Sequence, residues 1–433
     1  MLSRFIAAAV LCAAPATIQA QRADTLDLTR AVALARAANP LLAARAAEVR
    51  AAGARIRPAG AWSDPTLTLG AMNYMLPGLS PRGDPMTMNQ ITLMQMVPVG
   101  GALGQRRDVA RADSARFVWV AEAAALEVEA AVRAQFWSLY HDDRALEIMA
   151  RRRTVLQEIA TVATTMYSTG AATQSDALRA QVAMTRLDQE VAAMQLDRYA
   201  AAAALNGLLG RPGQTGIALS VADAHEHGIM MHTLDMPEPP PLESLIATAD
   251  AHNPDIRGAE ARVAGGRSNA EAVRRSLIPD LGIGVAYGQR AGLGDMLSLM
   301  VSVNVPVFAA SRQLRQRDEA GAVLDAATSE QTAVRVQVHA ALTTARQQAM
   351  TARRMVTLYA GVLVPQADAA YQAALAAYRV GRVDFATLLE AQTALLEFEH
   401  DLHNDEAMYG TAVAQMDRLT GRRFDAGSAG QEN

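Results

Sequence analysis

Apolar residues along the chain follow two rhythms, and each rhythm occurs twice. The first is strict alternation. Leu67 and Leu69 alternate with Thr66, Thr68 and Gly70; Ile283, Val285 and Tyr287 alternate with Gly282, Gly284 and Ala286; Leu299, Val301, Val303 and Val305 alternate with Met300, Ser302 and Asn304. Period two predicts strands with one apolar face. Gln90 to Val97 fits less well, because Gln95 falls on the apolar side. Gly, Pro and Asp enrich the loops from Leu76 to Pro85 and from Gln289 to Asp295. The second rhythm steps by three and four. Leu388, Ala391, Leu395, Phe398 and Leu402 keep it, and so do Ala177, Ala180, Met184, Leu187 and Val191. That spacing is a coiled-coil seam. Before each seam the pattern predicts one very long helix, from about Gln105 to Tyr167 and from about Gln313 to Tyr378. At a rise of ~1.5 Å per residue each spans roughly 100 Å. Pro365 is expected to bend or break the second. Shorter helices over about 27–59 and 242–275 open each half, each interrupted by Asn-Pro.

These elements belong to an internal repeat. Asn39-Pro40 returns as Asn253-Pro254, Pro65 as Pro279, Val97-Pro98-Val99 as Val305-Pro306-Val307, Tyr167 and Gly170 as Tyr378 and Gly381, and Gly210-Arg211 as Gly421-Arg422. The offset stays at about 210 residues throughout, which is the mark of a duplicated unit. The expected organisation is a leader over 1–20, a first repeat over 21–211 with strands about 64–98, and a linker over 212–241 that ends in Pro237-Glu238-Pro239-Pro240-Pro241. A second repeat over 242–423, with strands about 279–306, and a disordered tail over 424–433 complete it. The expected fold class is mainly α with a small β part, four strands per chain.

Composition narrows the partners. The 40 basic residues, all arginine, nearly balance 44 acidic ones for a net charge of −4, so no nucleic-acid partner is implied. Hydrophobic residues reach 51% while aromatics are only 4%; alanine makes up the difference and suits helices packed closely side by side. Met1 to Ala20 reads as a secretory signal peptide: Arg4, an apolar run from Phe5 to Leu11, then Ile18-Gln19-Ala20. The single cysteine, Cys12, lies inside it, which excludes disulfide and thiolate chemistry in the exported chain. Beyond it no stretch supplies the ~18 apolar residues of a spanning helix. A bilayer could then be crossed only by a closed β-barrel. Four strands are too few to close one.

In this arrangement the sequence resembles the TolC family of outer-membrane factors over nearly its whole length. The resemblance rests on the ordered set: the duplicated unit, the two Asn-Pro helices, strand entry at Asp64-Pro65 and Pro279-Asp280, and the turns Tyr167-Ser168-Thr169-Gly170 and Tyr378-Arg379-Val380-Gly381. The helix ends Leu205 to Arg211 and Leu419 to Arg422 complete it. It implies a homotrimer with a 12-stranded outer-membrane barrel and a periplasmic helical tunnel. It also implies a periplasmic adaptor and an inner-membrane pump as partners, and a passive exit duct rather than an enzyme, with no cofactor. The surroundings of Asp64-Pro65 and of Val97 to Gly101 look like the heavy-metal-efflux branch.

The resemblance also assigns residues. At the periplasmic tip, Tyr378 takes the position of a tyrosine that holds a polar/acidic pair, here Ser175-Asp176, and Arg382 stands one residue from the basic position. A Tyr hydroxyl and an Arg fork on Asp176 would tie neighbouring hairpins together as a gate; the competing reading of Ser175 and Asp176 is plain helix capping. Glu390 takes the position of a tunnel-constriction carboxylate, with Asp384 as an alternative ring member, whereas Thr387 and Arg179 depart from the acidic pattern. Three-fold symmetry would make such a residue a cation-selecting ring. His339, His400 and His403 fit solvated helix faces. Met72, Met75, Met86, Met88, Met94 and Met96 cluster around the first strand pair. His225, His227, Met230, Met231 and His232 cluster in the linker as candidate metal ligands. Thioethers and imidazoles suit Cu(I), Ag(I) or Zn(II). Catalytic constellations are absent from the sequence. Metal ions and toxic small molecules are the leading cargoes. The alternatives are a type I protein secretion duct, a periplasmic coiled-coil scaffold that never inserts, and a helical metal-binding module.

Overall fold

A computed structural model describes residues 24–168, 173–220, 236–305 and 307–423. The leader, Cys12 and the linker cluster His225, His227, Met230, Met231 and His232 lie outside the described residues, as does the tail.

Asn39 ends one helix and begins the next. α1 (Leu28–Ala38) is capped by Asp27, whose carboxylate accepts from the Arg30 N–H at 2.6 Å. α2 (Pro40–Ala59) starts with Pro at its first position, where the missing N–H costs nothing. Asn39 Oδ1 accepts from the Leu41 N–H at 2.9 Å. The second repeat copies the device: α5 (Leu242–His252) gives way at Asn253 to α6 (Pro254–Arg275), and Asn253 Oδ1 accepts from the Ile256 N–H at 3.0 Å.

The four expected strands form one antiparallel sheet: β2 (Thr66–Met72), β3 (Met88–Val97), β5 (Leu281–Gln289) and β6 (Met296–Val303), in the spatial order β2-β3-β5-β6. The middle contact, β3 with β5, joins the two repeats, with Leu93 opposite Val285. Gln95 is accommodated on its apolar face because its amide folds back, donating to the carbonyls of Ser63 and Met96 at 2.9 Å.

Below the sheet run the long helices. α3 (Ala102–Ser168) is a single helix of 67 residues, and α4 (Gln174–Leu208) returns beside it. In the second repeat α7 (Gln313–Leu358), a π-helical turn (Tyr359–Leu363) and α8 (Val364–Arg379) follow without a gap, and α9 (Phe385–Thr420) returns. Pro365 does not break the helix. The wider turn just before it takes up the missing N–H and the ring. Both return helices bury their seams: Ala180, Leu187, Leu388 and Leu402 are buried, as the three-four rhythm predicts.

Two features were not expected. Residues 217–219, placed by sequence in the linker, form β4 (Ile217–Leu219), which pairs in parallel with β1 (Asp24–Leu26). The proline-rich end of the linker is tied down rather than loose. Its carbonyls accept from Arg353 Nε at Met236 (2.7 Å), Tyr409 Oη at Pro237 (2.7 Å) and Arg346 Nε at Pro240 (2.6 Å). A proline run cannot donate through its own backbone, so side chains of α7 and α9 satisfy its carbonyls.

Candidate functional site

Three places in this fold gather distinctive side chains: the helical tip, the seam between α3 and α9, and the sheet.

At the tip, α8 ends in a Schellman turn. Arg382 N–H donates to the Ala377 carbonyl and Gly381 N–H to the Tyr378 carbonyl, both at 2.9 Å, with Gly381 at φ +68°. Asp384 then caps α9, accepting from the Thr387 N–H at 2.9 Å and from Thr387 Oγ1 at 2.6 Å. Those hydrogen bonds, helped by Arg179 of α4, hold the Asp384 carboxyl below the ordinary aspartate value. Tyr378 lies inside the tip. Its ring is buried, 6.1 Å from that of Phe385, in a cluster with Ile159 of α3, Ala180 of α4, Tyr371 and Leu388. It therefore sits where the hairpins of the two repeats meet inside one chain. Ser175 and Asp176 stand in the first turn of α4; Ser175 and Arg382 are exposed. Glu390 is exposed too and, with Ser175, Arg179, Arg186, Glu190 and Glu397, lines a groove of about 1120 Å³ between α4 and α9. Arg179, the repeat counterpart of Glu390, thus shares its groove.

The α3–α9 seam holds a polar interior. Arg133 pairs with Asp417, both buried. Tyr140 Oη donates to Glu406 at 3.0 Å, and His403 Nδ1 lies 2.8 Å from the same carboxylate. Burial, with Glu406 beside it, pushes the Tyr140 hydroxyl far above the ordinary tyrosine value. The buried Glu129 takes Arg36 of α1 and Arg423, three residues past α9. Gly410 makes room for the Trp137 indole, which a Cβ there would meet at 2.3 Å. The three histidines are partly solvated, His400 with 40% of its side chain exposed, but each has a partner. His403 sits on buried Glu406, and His339 Nε2 lies 3.1 Å from Asp250. His400 packs against the His141 ring. Nothing in the sequence spacing announces these pairs except His403 and Glu406, which stand three apart on one helix.

The sheet has two unlike faces. Across its strands Leu67, Leu93, Val285 and Leu299 form one row, and Leu69, Ile91, Tyr287 and Leu297 the next. All eight are exposed, Leu299 at 79%. The opposite face carries Thr, Ser, Gly and a set of methionines: Met72, Met88, Met94, Met96, Met296 and Met300. Glycines of β5 seat them. The sulfur of Met96 lies 3.2 Å from where a Cβ on Gly282 would stand, and that of Met88 2.6 Å from a Cβ on Gly288.

Among the described residues no helix is long and apolar enough to cross a membrane, which leaves the sheet as the apolar element. Among them also no group of three or more His, Cys, Asp or Glu side chains is arranged to hold a metal ion. A family model described as outer membrane efflux protein matches residues 31–211 and 245–422. The chain belongs to the outer membrane efflux protein family. This outer membrane efflux protein is 28% identical over 356 residues to the nickel-cobalt-cadmium resistance protein NccC of Alcaligenes xylosoxydans xylosoxydans, covering 79% of this chain and 74% of that one. Its fold is that of solved outer-membrane channels. OprN superposes with a TM-score of 0.77 at 19% identity over 91% of this chain and 89% of that one. CusC gives 0.76 at 16% over 92% and 94%. VceC of Vibrio cholerae gives 0.74 at 16% over 92% and 96%. The family assigns the protein to efflux at the outer membrane, and its fold is the one those solved channels share.

Proposed function

We propose that three copies of this chain close one twelve-stranded barrel, and that their helices continue it as a periplasmic tunnel. The observation that carries this is the sheet: four antiparallel strands, one continuous apolar face, and open edges at β2 and β6. An isolated sheet would leave those edges unpaired in lipid, where each unmet backbone group is costly. An even strand number makes β6 of one copy antiparallel to β2 of the next. Two copies would give about eight strands, whose interior side chains fill; three is the smallest number that leaves a lumen. The Leu299 face then meets lipid and the methionine face lines the bore.

The duct is passive and takes its solute from a periplasmic adaptor and an inner-membrane pump. Metal ions are the cargo that two observations favour: the metal-resistance relative, and thioethers on the inner face of the sheet, which suit soft cations. Toxic small molecules are the second cargo. Asp176, Ser175, Tyr378 and Arg382 make the tip gate, and Glu390, with Asp384 beside it, the constriction ring. The deciding measurement is the mass of the detergent-extracted particle. About three times the chain mass supports the duct. A monomer or dimer would return the helices to the scaffold reading.

A further inference from the structure

His141 of α3 and His400 of α9 lie with ring centres 4.9 Å apart at an interplanar angle of 79°. Each is followed by an aspartate. Asp142 Oδ1 is 3.1 Å from His141 Nδ1, and Asp401 Oδ1 is 3.7 Å from His400 Nδ1. At His141 a carboxylate within hydrogen-bond reach of Nδ1 leaves Nε2 facing away from it, the arrangement by which outer-shell carboxylates prepare a metal-binding imidazole; at His400 the 3.7 Å separation is an ion-pair distance and not a hydrogen bond. His141 Nε2 is buried and has no hydrogen-bond partner. A buried nitrogen acceptor without a donor is costly, and the structure around it supplies none. Two imidazoles bound to one tetrahedral ion, with metal–nitrogen bonds of about 2.0–2.1 Å, hold their ring centres about 5 Å apart. The observed pair already has that spacing.

We propose that His141 and His400 bind a divalent transition-metal ion of the zinc or nickel class at the α3–α9 seam, between the two repeats. Imidazole is the ligand type that suits these ions. Two side chains are one short of the three that fix a catalytic zinc, so water fills the remaining positions and the ion exchanges. The His403 ring packs edge-on against Tyr140, with ring centres 6.2 Å apart, and stands outside the His141–His400 pair. The binding stands apart from the cargo reading, since it needs only the seam within one chain.

The test is equilibrium dialysis of the untagged, detergent-purified full chain against NiCl2 and, separately, ZnCl2, with the particle mass taken on the same sample. Trp137 lies one helical turn from His141, so Ni(II) bound there should also quench its fluorescence. The expected result is one ion per chain at saturation, affinity lowered at least tenfold by His141→Ala or by His400→Gln, and no change with His403→Gln. Metal bound equally by the His141→Ala/His400→Gln double variant overturns the site, as does no binding by the native chain. A trimer that fails to bind overturns this inference alone, and a monomer that binds overturns only the trimeric duct.

Discussion

The side-chain nitrogen of Asn253 donates to the carbonyl of Leu419 at 2.8 Å, while its oxygen caps α6. Asn39 repeats the pattern in the first half, donating to the Leu208 carbonyl at 2.9 Å. One amide thus satisfies the start of one helix and the end of another. The glycine after each of those ends, Gly210 or Gly421, lies against the last turn of α1 or α5. A Cβ on Gly421, at φ +73°, would meet the His252 carbonyl oxygen at 2.5 Å. Only glycine allows that approach. Asn253 is fully buried. Asn253→Ala loses a cap worth ~1 kcal/mol and leaves a buried carbonyl unmet at ~1–3 kcal/mol, so a loss of about 2–4 kcal/mol is expected. Asn253→Asp keeps the acceptor and should lose nearly as much. Thermal unfolding in detergent checks this, and an unchanged midpoint for both variants would remove the clasp.

The Arg133–Asp417 pair predicts a cost that depends on how it is removed. Asp417→Ala leaves the Arg133 guanidinium buried beside no counter-charge, at about 3–5 kcal/mol. Arg133→Met with Asp417→Leu replaces charge by packing and should recover most of that loss. Denaturation of the two variants beside the native chain decides it. Equal instability of the single and double variants would mean that the pair contributes attraction well beyond its desolvation cost.

The long-range order was legible because duplication states it twice. Two Asn-Pro helices, two strand pairs and two seams in one register leave little freedom, and the structure follows them. What periodicity cannot give is the partner across a gap. Helical spacing put His400 and His403 on polar faces, but not against the His141 and Tyr140 rings of α3, and Tyr140 meets Glu406 across 266 residues. The pairing of β1 with β4 rests on three residues from each, too few to show a pattern. At the tip, the resemblance pointed to Tyr378 but not to its burial against Phe385, because a tyrosine at a turn reads the same whether its ring points inward or out.

Asp405 gives stability a pH dependence. Burial, with Asp401 beside it, raises its carboxyl from 3.8 to about 6 in the folded chain. Between those values the folded state binds more protons than the unfolded one, so stability falls as pH rises through this window. Above pH 6 the folded state carries a half-buried charge that the unfolded chain leaves in water. Asp405→Asn should therefore raise the melting midpoint at pH 7.5 and change it little at pH 4. A midpoint raised equally at both values would assign the gain to something other than ionisation.

For the gate, Tyr378→Phe with Asp176→Ala is the informative pair. Phe keeps the buried ring against Phe385 and removes only the hydroxyl, so the tip stays folded. A hydroxyl hydrogen bond contributes about 1 kcal/mol net, so three symmetric copies limit the gain in open probability to about a hundredfold. Single-channel recording should show larger or more frequent openings. Conductance equal to the native channel would take both residues out of the lock.

The two faces of the sheet make opposite predictions for neighbouring positions on β6. Leu299 is exposed on the apolar face, and Ser298 beside it points to the methionine face. If the apolar face meets lipid, Leu299→Arg costs about 2–4 kcal/mol near the bilayer midplane and should lower the amount of assembled channel in the outer membrane. Ser298→Arg puts the same charge in the bore, where water solvates it. Assembly should persist while permeation shifts toward anions, since a ring of arginines selects them. The same charge at adjacent residues controls for strand propensity and for size, so the comparison isolates the face. Assembly lost in the Ser298 variant and kept in the Leu299 variant would turn the sheet inside out and place the methionines against lipid. Loss in both would mean that neither face opens on water.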